Sequence, residues 1–377
     1  MKRVLSFLSS FFLLCGIANA AQYRAVLVAD IDSGRVLYQE NANELNYPAS
    51  LTKIMTLYLT FDALEHQRLH LDDYLIVSNY AADAQPVKLG LAAGSKIKVE
   101  DAIKAVAVHS ANDVARVLAE NLKGGKEGNF ADLMTRVANE IGLKHTNFEN
   151  SSGLPNDDHM STARDIALLS MAVYKHFPQY WKYFGIKSWT YGGKTYTNGN
   201  RLLTSFPGCD GMKTGFTNKS RYSLVATAAR DGHHLIAVVL GAENKDVRAS
   251  VATKMLNLGF SKLGVSNTNY SVPQQSYTVP ANNTNPIAKY ATDKKPEQKN
   301  NMGVSYGGVG VQCGAFSSYQ SAQNQAKKVL NATGLNADIQ QNETGLYRVR
   351  INGLSENSAQ NAKNTASANG IDCYVFH

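Results

Sequence analysis

Residues 47–59 read Tyr47-Pro48-Ala49-Ser50-Leu51-Thr52-Lys53-Ile54-Met55-Thr56-Leu57-Tyr58-Leu59, with a serine and a lysine three residues apart before an apolar run. Residues three apart on a helix share a face, so the Lys53 amine is expected over the turn that carries Ser50. The run is apolar on nearly every helical face, which predicts a buried helix with Lys53 drawn inside. A desolvated lysine can act as the base that activates a serine. An isolated Ser-x-x-Lys more often marks a helix-capping serine beside a surface lysine. The pair alone therefore does not distinguish a catalytic role from a structural one.

The N-terminal segment has the layout of a secretory signal peptide. Lys2 and Arg3 precede an apolar run at 7–17, which is followed by Ala18-Asn19-Ala20-Ala21. The charged start, the apolar core and the small residues predict cleavage after Ala20. The apolar run is shorter than the roughly 20 residues that a membrane span needs. We therefore expect residues 1–20 to be removed and the product to be exported to the periplasm, with no transmembrane span.

The charge and the cysteines narrow the choice of partners. Removing Lys2 and Arg3, the only charged residues of the leader, lowers the net charge from +8 to +6. A basic balance suits an acidic partner. Export argues against nucleic acid and favours the carboxylates of a cell-wall polymer. Three of the four cysteines remain after cleavage, so an oxidising compartment allows one disulfide and leaves one thiol.

Patterning divides the rest of the chain into two folded parts. Strand-like segments near residues 24–38 and 222–240 flank a helical middle, which predicts an α+β domain over 21–264 with both ends in one sheet. Residues 265–305 are rich in Asn, Ser, Thr, Gln, Pro and Lys and predict a flexible linker. Periodicity returns in 306–377, where the order β-α-β-β-α-β predicts a small sandwich of one sheet and two helices.

Three short motifs follow one another within the first part. They are Ser50-x-x-Lys53, Ser110-Ala111-Asn112 and Lys213-Thr214-Gly215. Each is weak alone, but their order is specific. Two further segments accompany them, Asn150-Ser151-Ser152-Gly153-Leu154-Pro155 and Asp210-Gly211-Met212. With these motifs, residues 23–262 resemble the penicillin-binding proteins. In local sequence they resemble the low-molecular-mass D-alanyl-D-alanine carboxypeptidases of peptidase family S11. The resemblance implies a β-lactamase/transpeptidase-like fold, with an antiparallel sheet and helices on both sides.

The resemblance also implies a role for each motif residue. Ser50 would be the nucleophile, Lys53 its base and Ser110 the relay that protonates the leaving D-alanine. Further residues are expected to bind the substrate, and the amides of Ser50 and Phe216 are expected to form the oxyanion hole. The expected substrate-binding set is Asn112, Lys213, Thr214, Gly215, Phe216 and Arg248.

Two features leave the role of individual residues open. Arg248 stands where relatives have an arginine that helps to bind the substrate carboxylate, but a solvated arginine at a helix start is about equally consistent with the pattern. Phe216 replaces the histidine that many relatives have after Lys-Thr-Gly. Because only its backbone amide is needed, we expect activity to survive and substrate preference to change. The mechanism requires no cofactor and no metal.

The C-terminal part resembles a sporulation-related repeat (SPOR) domain, which binds glycan strands of peptidoglycan that lack stem peptides. Val311-Gln312-Cys313-Gly314-Ala315-Phe316 and Leu346-Tyr347-Arg348-Val349-Arg350-Ile351 carry this resemblance. In that fold the first and last strands are neighbours, so a Cys313–Cys373 disulfide is expected. Alternation then assigns two faces to the sheet. The helix-covered face would carry Val311, Cys313, Ala315, Tyr347, Val349, Ile351, Ile371, Cys373 and Val375. The open, glycan-binding face would carry Gln312, Phe316, Arg348, Arg350 and Tyr374.

These features predict a serine-type D-alanyl-D-alanine carboxypeptidase held on peptidoglycan by its SPOR domain and acylated by β-lactam antibiotics. The alternatives are a β-lactamase, an endopeptidase on peptidoglycan cross-links and a catalytically weak peptidoglycan-binding protein. A β-lactamase must also deacylate rapidly, often with a glutamate, and Glu149 is the nearest candidate. The sequence of the loop at 150–155 resembles that of the carboxypeptidases. We therefore expect penicillin to be released slowly.

Overall fold

The computed structural model describes residues 22–265, 309–316, 319–335, 337–341 and 346–376. They fall into two compact units, one within residues 1–296 and the other within residues 297–377. The expected signal peptide and nearly all of the expected linker lie outside the described residues. None of the helices that the structure describes is both long enough and apolar enough to cross a membrane.

The first unit is built around one antiparallel sheet. Its strands are β1 (Ala25–Asp30), β2 (Val36–Glu40), β3 (Tyr74–Ile76), β4 (Lys96–Lys98), β5 (Ser188–Tyr191), β6 (Lys194–Thr197), β7 (Cys209–Thr217), β8 (Arg221–Arg230) and β9 (His233–Ala242). The main sheet has the order β2-β1-β9-β8-β7, and β3–β4 and β5–β6 form two separate hairpins. The N- and C-terminal strands of the unit are therefore neighbours, as the strand pattern predicted.

Helices cover both faces of this sheet. They are α1 (Lys53–Glu65), α2 (Asn79–Ala82), α3 (Val99–Lys104), α4 (Asn112–Leu122), α5 (Glu127–Glu140), α6 (Ala163–His176), α7 (Leu202–Ser205) and α8 (Lys245–Lys262). Two 3₁₀ segments, Ala49–Thr52 and Pro178–Gly185, and a π-helical turn, Ala105–His109, lie between them.

Strand β1 shows why the sheet needs helices on both sides. Successive strand residues point to opposite faces. Leu27 packs into the core shared with α1 and α6, whereas Val26 and Val28 pack into the core shared with α8. Both sides are apolar, so each must be covered to remove it from water. The expected α+β architecture is confirmed.

Helix α1 is buried along almost its whole length. Every residue from Lys53 to Leu64 is buried, including the charged Lys53 and Asp62. A helix that is apolar all round belongs in the interior of a protein, which agrees with the sequence pattern. The burial of Lys53 is therefore a consequence of where the apolar helix must go.

The motif at residues 213–215 lies in a strand that the sequence pattern did not predict. It precedes the β8–β9 hairpin and occupies the middle of β7, which pairs with β8 from Cys209 to Thr217. The segment contains two glycines and several polar residues, so its composition alone does not resemble a strand. Because β7 is the last strand of the sheet, only one of its edges is paired. The other edge is available to an extended peptide.

The second unit has the predicted β-α-β-β-α-β order. Its elements are β10 (Val309–Phe316), α9 (Tyr319–Thr333), β11 (Asp338–Gln341), β12 (Tyr347–Leu354), α10 (Glu356–Ala368) and β13 (Tyr374–Phe376). The sheet has the order β11-β12-β10-β13, so the first and last strands are neighbours. Cys313 and Cys373 form a disulfide.

A bulge corrects the expected faces of β10. The pairing of β10 with β12 is irregular between Gln312 and Ala315, and Gly314 has a φ of 118°. An irregularity of this kind reverses the alternation of the residues that follow. Ala315 is therefore exposed rather than buried, and Phe316 packs against the core rather than on the open face.

Candidate active site

The nucleophile candidate Ser50 lies in the 3₁₀ turn that precedes α1 and is partly exposed. The turn requires close packing beneath it. Ala49 has a φ of 48°, and a Cβ placed on Gly153 would lie 1.8 Å from the Ala49 carbonyl oxygen. Gly153 also has a φ of 78°, which favours glycine. The loop containing Gly153 therefore supports the backbone that presents the Ser50 hydroxyl.

Lys53 is fully buried and has three polar neighbours. Its Nζ lies 2.7 Å from Asn112 Oδ1, 2.6 Å from the Ser152 carbonyl oxygen and 3.1 Å from Ser50 Oγ. A neutral amine has two N–H donors and one lone pair. The first two oxygens can only accept, so they take both hydrogens. The lone pair is then left for the Ser50 hydroxyl proton.

The surroundings of Lys53 favour this neutral form. Burial lowers the pKa of Lys53 well below the ordinary lysine value, and the nearby cation Lys213 lowers it further. The carboxylate of Glu127 acts in the opposite direction. Burial outweighs Glu127, so the lowered pKa favours the neutral amine that a general base needs.

Asn112 holds its side chain in one orientation. It begins α4, and its Nδ2 donates a hydrogen bond of 2.8 Å to the Gln85 carbonyl oxygen. The amide oxygen therefore faces Lys53. Asn112 and Lys53 are 59 residues apart in the chain, and the structure brings the first and second motifs into direct contact.

Ser110 ends the π-helical turn with a left-handed backbone, at a φ of 65°. Its Oγ is buried and finds no hydrogen-bond partner within the described part of the chain. Buried hydroxyls are nearly always paired. An unpaired hydroxyl two residues before Asn112 is consistent with a group that finds its partner on a bound substrate.

The third motif combines a buried cation with close packing against the nucleophile. Burial and the neighbouring Arg248 lower the pKa of Lys213 to about 7. A Cβ placed on Gly215 would lie 3.1 Å from the Pro48 carbonyl oxygen and 3.3 Å from the Ser50 nitrogen. The edge of β7 therefore lies directly against the turn of Ser50, and a side chain at position 215 would separate them.

Arg248 is buried rather than solvated. Its guanidinium donates to the carbonyl oxygens of Ser223 at 3.5 Å and Gly199 at 3.3 Å. Burial is the largest cause that lowers the pKa of Arg248 to about 10. A Cβ on Gly199 would lie 2.8 Å from Thr214 Oγ1, so Arg248 and Thr214 adjoin the same residue. Two buried cations, Arg248 and Lys213, together form a site suited to an anion.

Phe216 is 49% exposed and lies on Tyr222, with ring centroids 4.4 Å apart. His159 is buried and hydrogen-bonded within the protein. Glu149 N donates to His159 Nδ1, so Nε2 carries the hydrogen that is donated to Thr52 Oγ1 at 2.8 Å. Burial lowers the pKa of His159 to about 3, which keeps it neutral.

A polar pair joins β10 and β12 on the sheet of the second unit. Arg350 Nε donates to Gln312 Oε1 at 2.7 Å, and the guanidinium lies 4.5 Å from the centre of the Phe376 ring. Gln312 is buried rather than open to solvent as expected, whereas Tyr374 is 52% exposed. Arg348 is partly exposed. The described residues contain no group of three His, Cys, Asp or Glu side chains placed to hold a metal.

Sequence reasoning missed three contributors to this site. The Ser152 carbonyl, the Gln85 carbonyl and the Glu127 carboxylate all contact motif residues or the loop that supports them. Backbone carbonyls leave no signal in side-chain type. Glu127 lies in no motif, and only the tertiary structure places it near Lys53.

Comparison with known proteins places this site in a family. The family model for D-alanyl-D-alanine carboxypeptidase (peptidase S11) matches residues 17–244, and the model for the SPOR domain matches residues 305–376. The first match covers more than half of the chain. The chain belongs to the D-alanyl-D-alanine carboxypeptidase family and carries a C-terminal SPOR domain.

Individual relatives agree with this assignment. The chain is 35% identical over 248 residues to D-alanyl-D-alanine carboxypeptidase DacF of Bacillus subtilis (64% of this chain, 63% of the relative). It is 38% identical over 250 residues to DacC of Escherichia coli (64% of this chain, 62% of the relative). These matches span less than two thirds of either relative. The crystal structure of penicillin-binding protein 5 from Haemophilus influenzae has a TM-score of 0.62 at 32% identity, covering 64% of this chain and 71% of that one.

Proposed function

We propose that this protein is a serine-type D-alanyl-D-alanine carboxypeptidase acting on peptidoglycan pentapeptides. The observation that carries the proposal is the buried Lys53 amine, whose Nζ lies within hydrogen-bond distance of Asn112 Oδ1, the Ser152 carbonyl oxygen and Ser50 Oγ, so that the neutral amine would direct its lone pair at Ser50. The relatives named D-alanyl-D-alanine carboxypeptidases support the substrate class.

The reaction follows from this arrangement. Ser50 Oγ attacks the carbonyl carbon between the two D-alanines, and Lys53 takes its proton. The carbonyl oxygen becomes an oxyanion, held by the amides of Ser50 and Phe216. When the oxyanion collapses, the C–N bond breaks, and the proton that Lys53 took from Ser50 passes through Ser110 to the leaving nitrogen, which returns Lys53 to its neutral form. Water then attacks the acyl-enzyme, and free D-alanine and a shortened peptide are the products.

Substrate orientation depends on the edge of β7. An extended peptide can lie along the unpaired edge, with Asn112 bonding to its amide. The terminal carboxylate would bind at Lys213, Thr214 and Arg248. Charged pairs inside a protein are stronger than in water, so a buried site of this kind discriminates in favour of a free C-terminal carboxylate.

The decisive experiment measures D-alanine release from a pentapeptide by the wild type and by Ser50→Ala. We expect release by the wild type and none above background by the variant. Release by Ser50→Ala, or none by a folded wild type that penicillin labels, contradicts the proposal. A cross-linked dimer as substrate separates carboxypeptidase from endopeptidase activity.

We also propose that β-lactams acylate Ser50 and leave slowly. One related protein, penicillin-binding protein D2 of Listeria monocytogenes, has been crystallised in an ampicillin-bound form. Glu149 provides little support for rapid deacylation. Its carboxylate accepts from Asn147 Nδ2, and burial raises its pKa, which disfavours the charged base. Rapid turnover of penicillin by the purified protein would refute this and favour the β-lactamase alternative.

The rest of the chain suggests where the enzyme acts. We propose a leader at 1–20, a catalytic domain at 21–264, a linker at 265–305 and a glycan-binding domain at 306–377. The expected leader supports export to the periplasm, and the SPOR match supports attachment to peptidoglycan. Co-sedimentation with peptidoglycan sacculi, before and after removal of stem peptides, tests the attachment. Equal loss of binding in Arg350→Ala and Tyr374→Ala would support the open face of the sheet.

A further inference from the structure

Glu127 is a buried carboxylate for which the proposed reaction has no step. It is the first residue of α5 and is 7% exposed. Its Oε1 accepts from Ser151 N at 2.9 Å and Ser151 Oγ at 2.5 Å, and its Oε2 accepts from Tyr80 OH at 2.5 Å. Arg116 Nε lies 3.7 Å from the same Oε2. A buried carboxylate is costly unless it is well paired, and Glu127 is paired from three sides.

These hydrogen bonds connect Glu127 to Lys53 through two loop residues, Ser151 and Ser152. Ser151 is held by Glu127 through its nitrogen and hydroxyl, and its carbonyl oxygen accepts from Thr56 Oγ1 at 2.6 Å. The next carbonyl, that of Ser152, accepts from Lys53 Nζ at 2.6 Å. Thr56 and Lys53 lie three residues apart on α1. Glu127 therefore fixes the loop carbonyl that takes one hydrogen of the Lys53 amine.

The charged and titratable groups around this connection come from several elements. Lys213 on β7 and Glu127 on α5 act on Lys53 with opposite sign, and His159 beside it is neutral. On its outer side, Glu127 faces Arg116 of α4 and the Tyr80 hydroxyl of α2, with Glu120 acting on Tyr80. Among these groups, Glu127 favours a proton on Lys53.

We propose that Glu127 is a positioning residue of the acylation centre, which fixes the Ser152 carbonyl against Lys53 and sets the lower end of the pH range in which Lys53 acts as the base. The proposal rests on the proposed function, because it takes Lys53 to be that base. It assigns to α5 a part in catalysis that none of the sequence motifs covers. A carboxylate stabilises the ammonium form of a nearby lysine, so its loss favours the neutral form at lower pH.

The test is the pH dependence of Ser50 acylation by a fluorescent penicillin, measured on the full chain as a second-order rate. At low pH the rate falls because Lys53 must lose a proton before it can act as the base. This low-pH limb of the profile therefore reports the protonation of Lys53. Glu127→Gln keeps the shape of the side chain and removes its charge, so we expect the limb to move to lower pH. Arg116→Gln removes the cation that offsets Glu127, so the limb is expected to move to higher pH. Ser151→Ala removes a bond and keeps the charge, so the rate should fall with the limb in place.

The opposite directions expected for Glu127→Gln and Arg116→Gln distinguish this role from a merely structural one, which would lower the rate without moving the limb. A limb that stays in place in Glu127→Gln overturns the proposal. Where that variant does not fold, a limb that stays in place in Arg116→Gln does so. The proposed function fails by a different result. A wild type that is acylated with a normal low-pH limb but releases no D-alanine refutes the carboxypeptidase assignment and leaves the role of Glu127 standing.

Discussion

Replacing Asn112 by aspartate exchanges the side-chain NH2 group for an oxygen. The variant tests directly whether Lys53 must be neutral to act as the base. The Asn112 amide oxygen lies 2.7 Å from Lys53 Nζ, and its nitrogen donates to the Gln85 carbonyl oxygen at 2.8 Å. Asn112→Asp keeps the shape but places a carboxylate against Lys53. It also replaces the donor to Gln85 by a second acceptor. The negative charge favours an ammonium on Lys53, which then donates to the new carboxylate and cannot take the proton of Ser50.

The distance gives the size of the effect. Two unit charges 2.7 Å apart attract each other by about 6 kcal/mol at an effective dielectric constant of about 20. Desolvation of the new carboxylate opposes this attraction. We take about half of the attraction, about 3 kcal/mol, as the net stabilisation of the ammonium. Each 1.36 kcal/mol is about a tenfold change in protonation, so the ratio of ammonium to neutral amine on Lys53 should rise by about two orders of magnitude.

The assay is the second-order rate of Ser50 acylation by a fluorescent penicillin across the pH range in which the protein is folded. We expect the low-pH limb of Asn112→Asp to be displaced upward by about two pH units, so that the variant is about 100-fold slower than the wild type on that limb and added base restores the rate. Asn112→Ala is the matched control. It removes both hydrogen bonds without adding charge, so its rate should fall with less displacement of the limb.

Two results would refute the reasoning. One is an Asn112→Asp rate within about threefold of the wild type on the low-pH limb, since a Coulomb interaction at this distance predicts far more. The other is an equal loss in the aspartate and alanine variants with the same pH dependence in both. That pattern would mean that Asn112 acts on the substrate alone and that Lys53 need not be neutral.

Three further outcomes follow from the described contacts. Because the pKa of Lys213 is about 7, kcat/KM for a carboxylate-bearing substrate should fall as pH rises above about 7, and Lys213→Arg should move this limb upward because arginine stays charged; identical high-pH limbs in steady-state kinetics would contradict this. Gly153→Ala should destabilise the protein by more than about 3 kcal/mol in urea unfolding, because its Cβ would lie 1.8 Å from the Ala49 carbonyl oxygen; a change below about 1 kcal/mol would show that the turn adapts. Reduction of the Cys313–Cys373 disulfide should destabilise the C-terminal unit by about 4 kcal/mol for the loop it closes; an unchanged thermal midpoint in reductant would argue against it.

Local patterns predicted the elements whose residues interact mainly with near neighbours. The apolar run after Lys53 predicted helix α1, and the helix is buried as expected. The β-α-β-β-α-β order of the C-terminal unit was likewise readable from alternation and helical spacing. In each case the apolar residues recur at the period of the element that buries them.

Prediction failed where a distant partner decides the conformation. Lys213 lies inside a strand because β8 supplies the hydrogen-bonding edge, and the glycines of β7 hide this in the sequence. Ala315 and Phe316 exchange faces because of the irregular pairing at Gly314. Strand propensity depends on the neighbouring strand and the face more than on the residue itself, so composition could not resolve either case.

The sequence by itself determined which reactive groups the protein has, in what order, and that the helix carrying Lys53 would be buried. The tertiary structure decided what those groups can do. Burial, the cation Lys213 and the acceptors on Asn112 and Ser152 come from separate parts of the chain, and together they leave the Lys53 lone pair facing Ser50. The protonation state of a buried amine depends on the solvent and charges around it in space, and these exist only once the chain has folded.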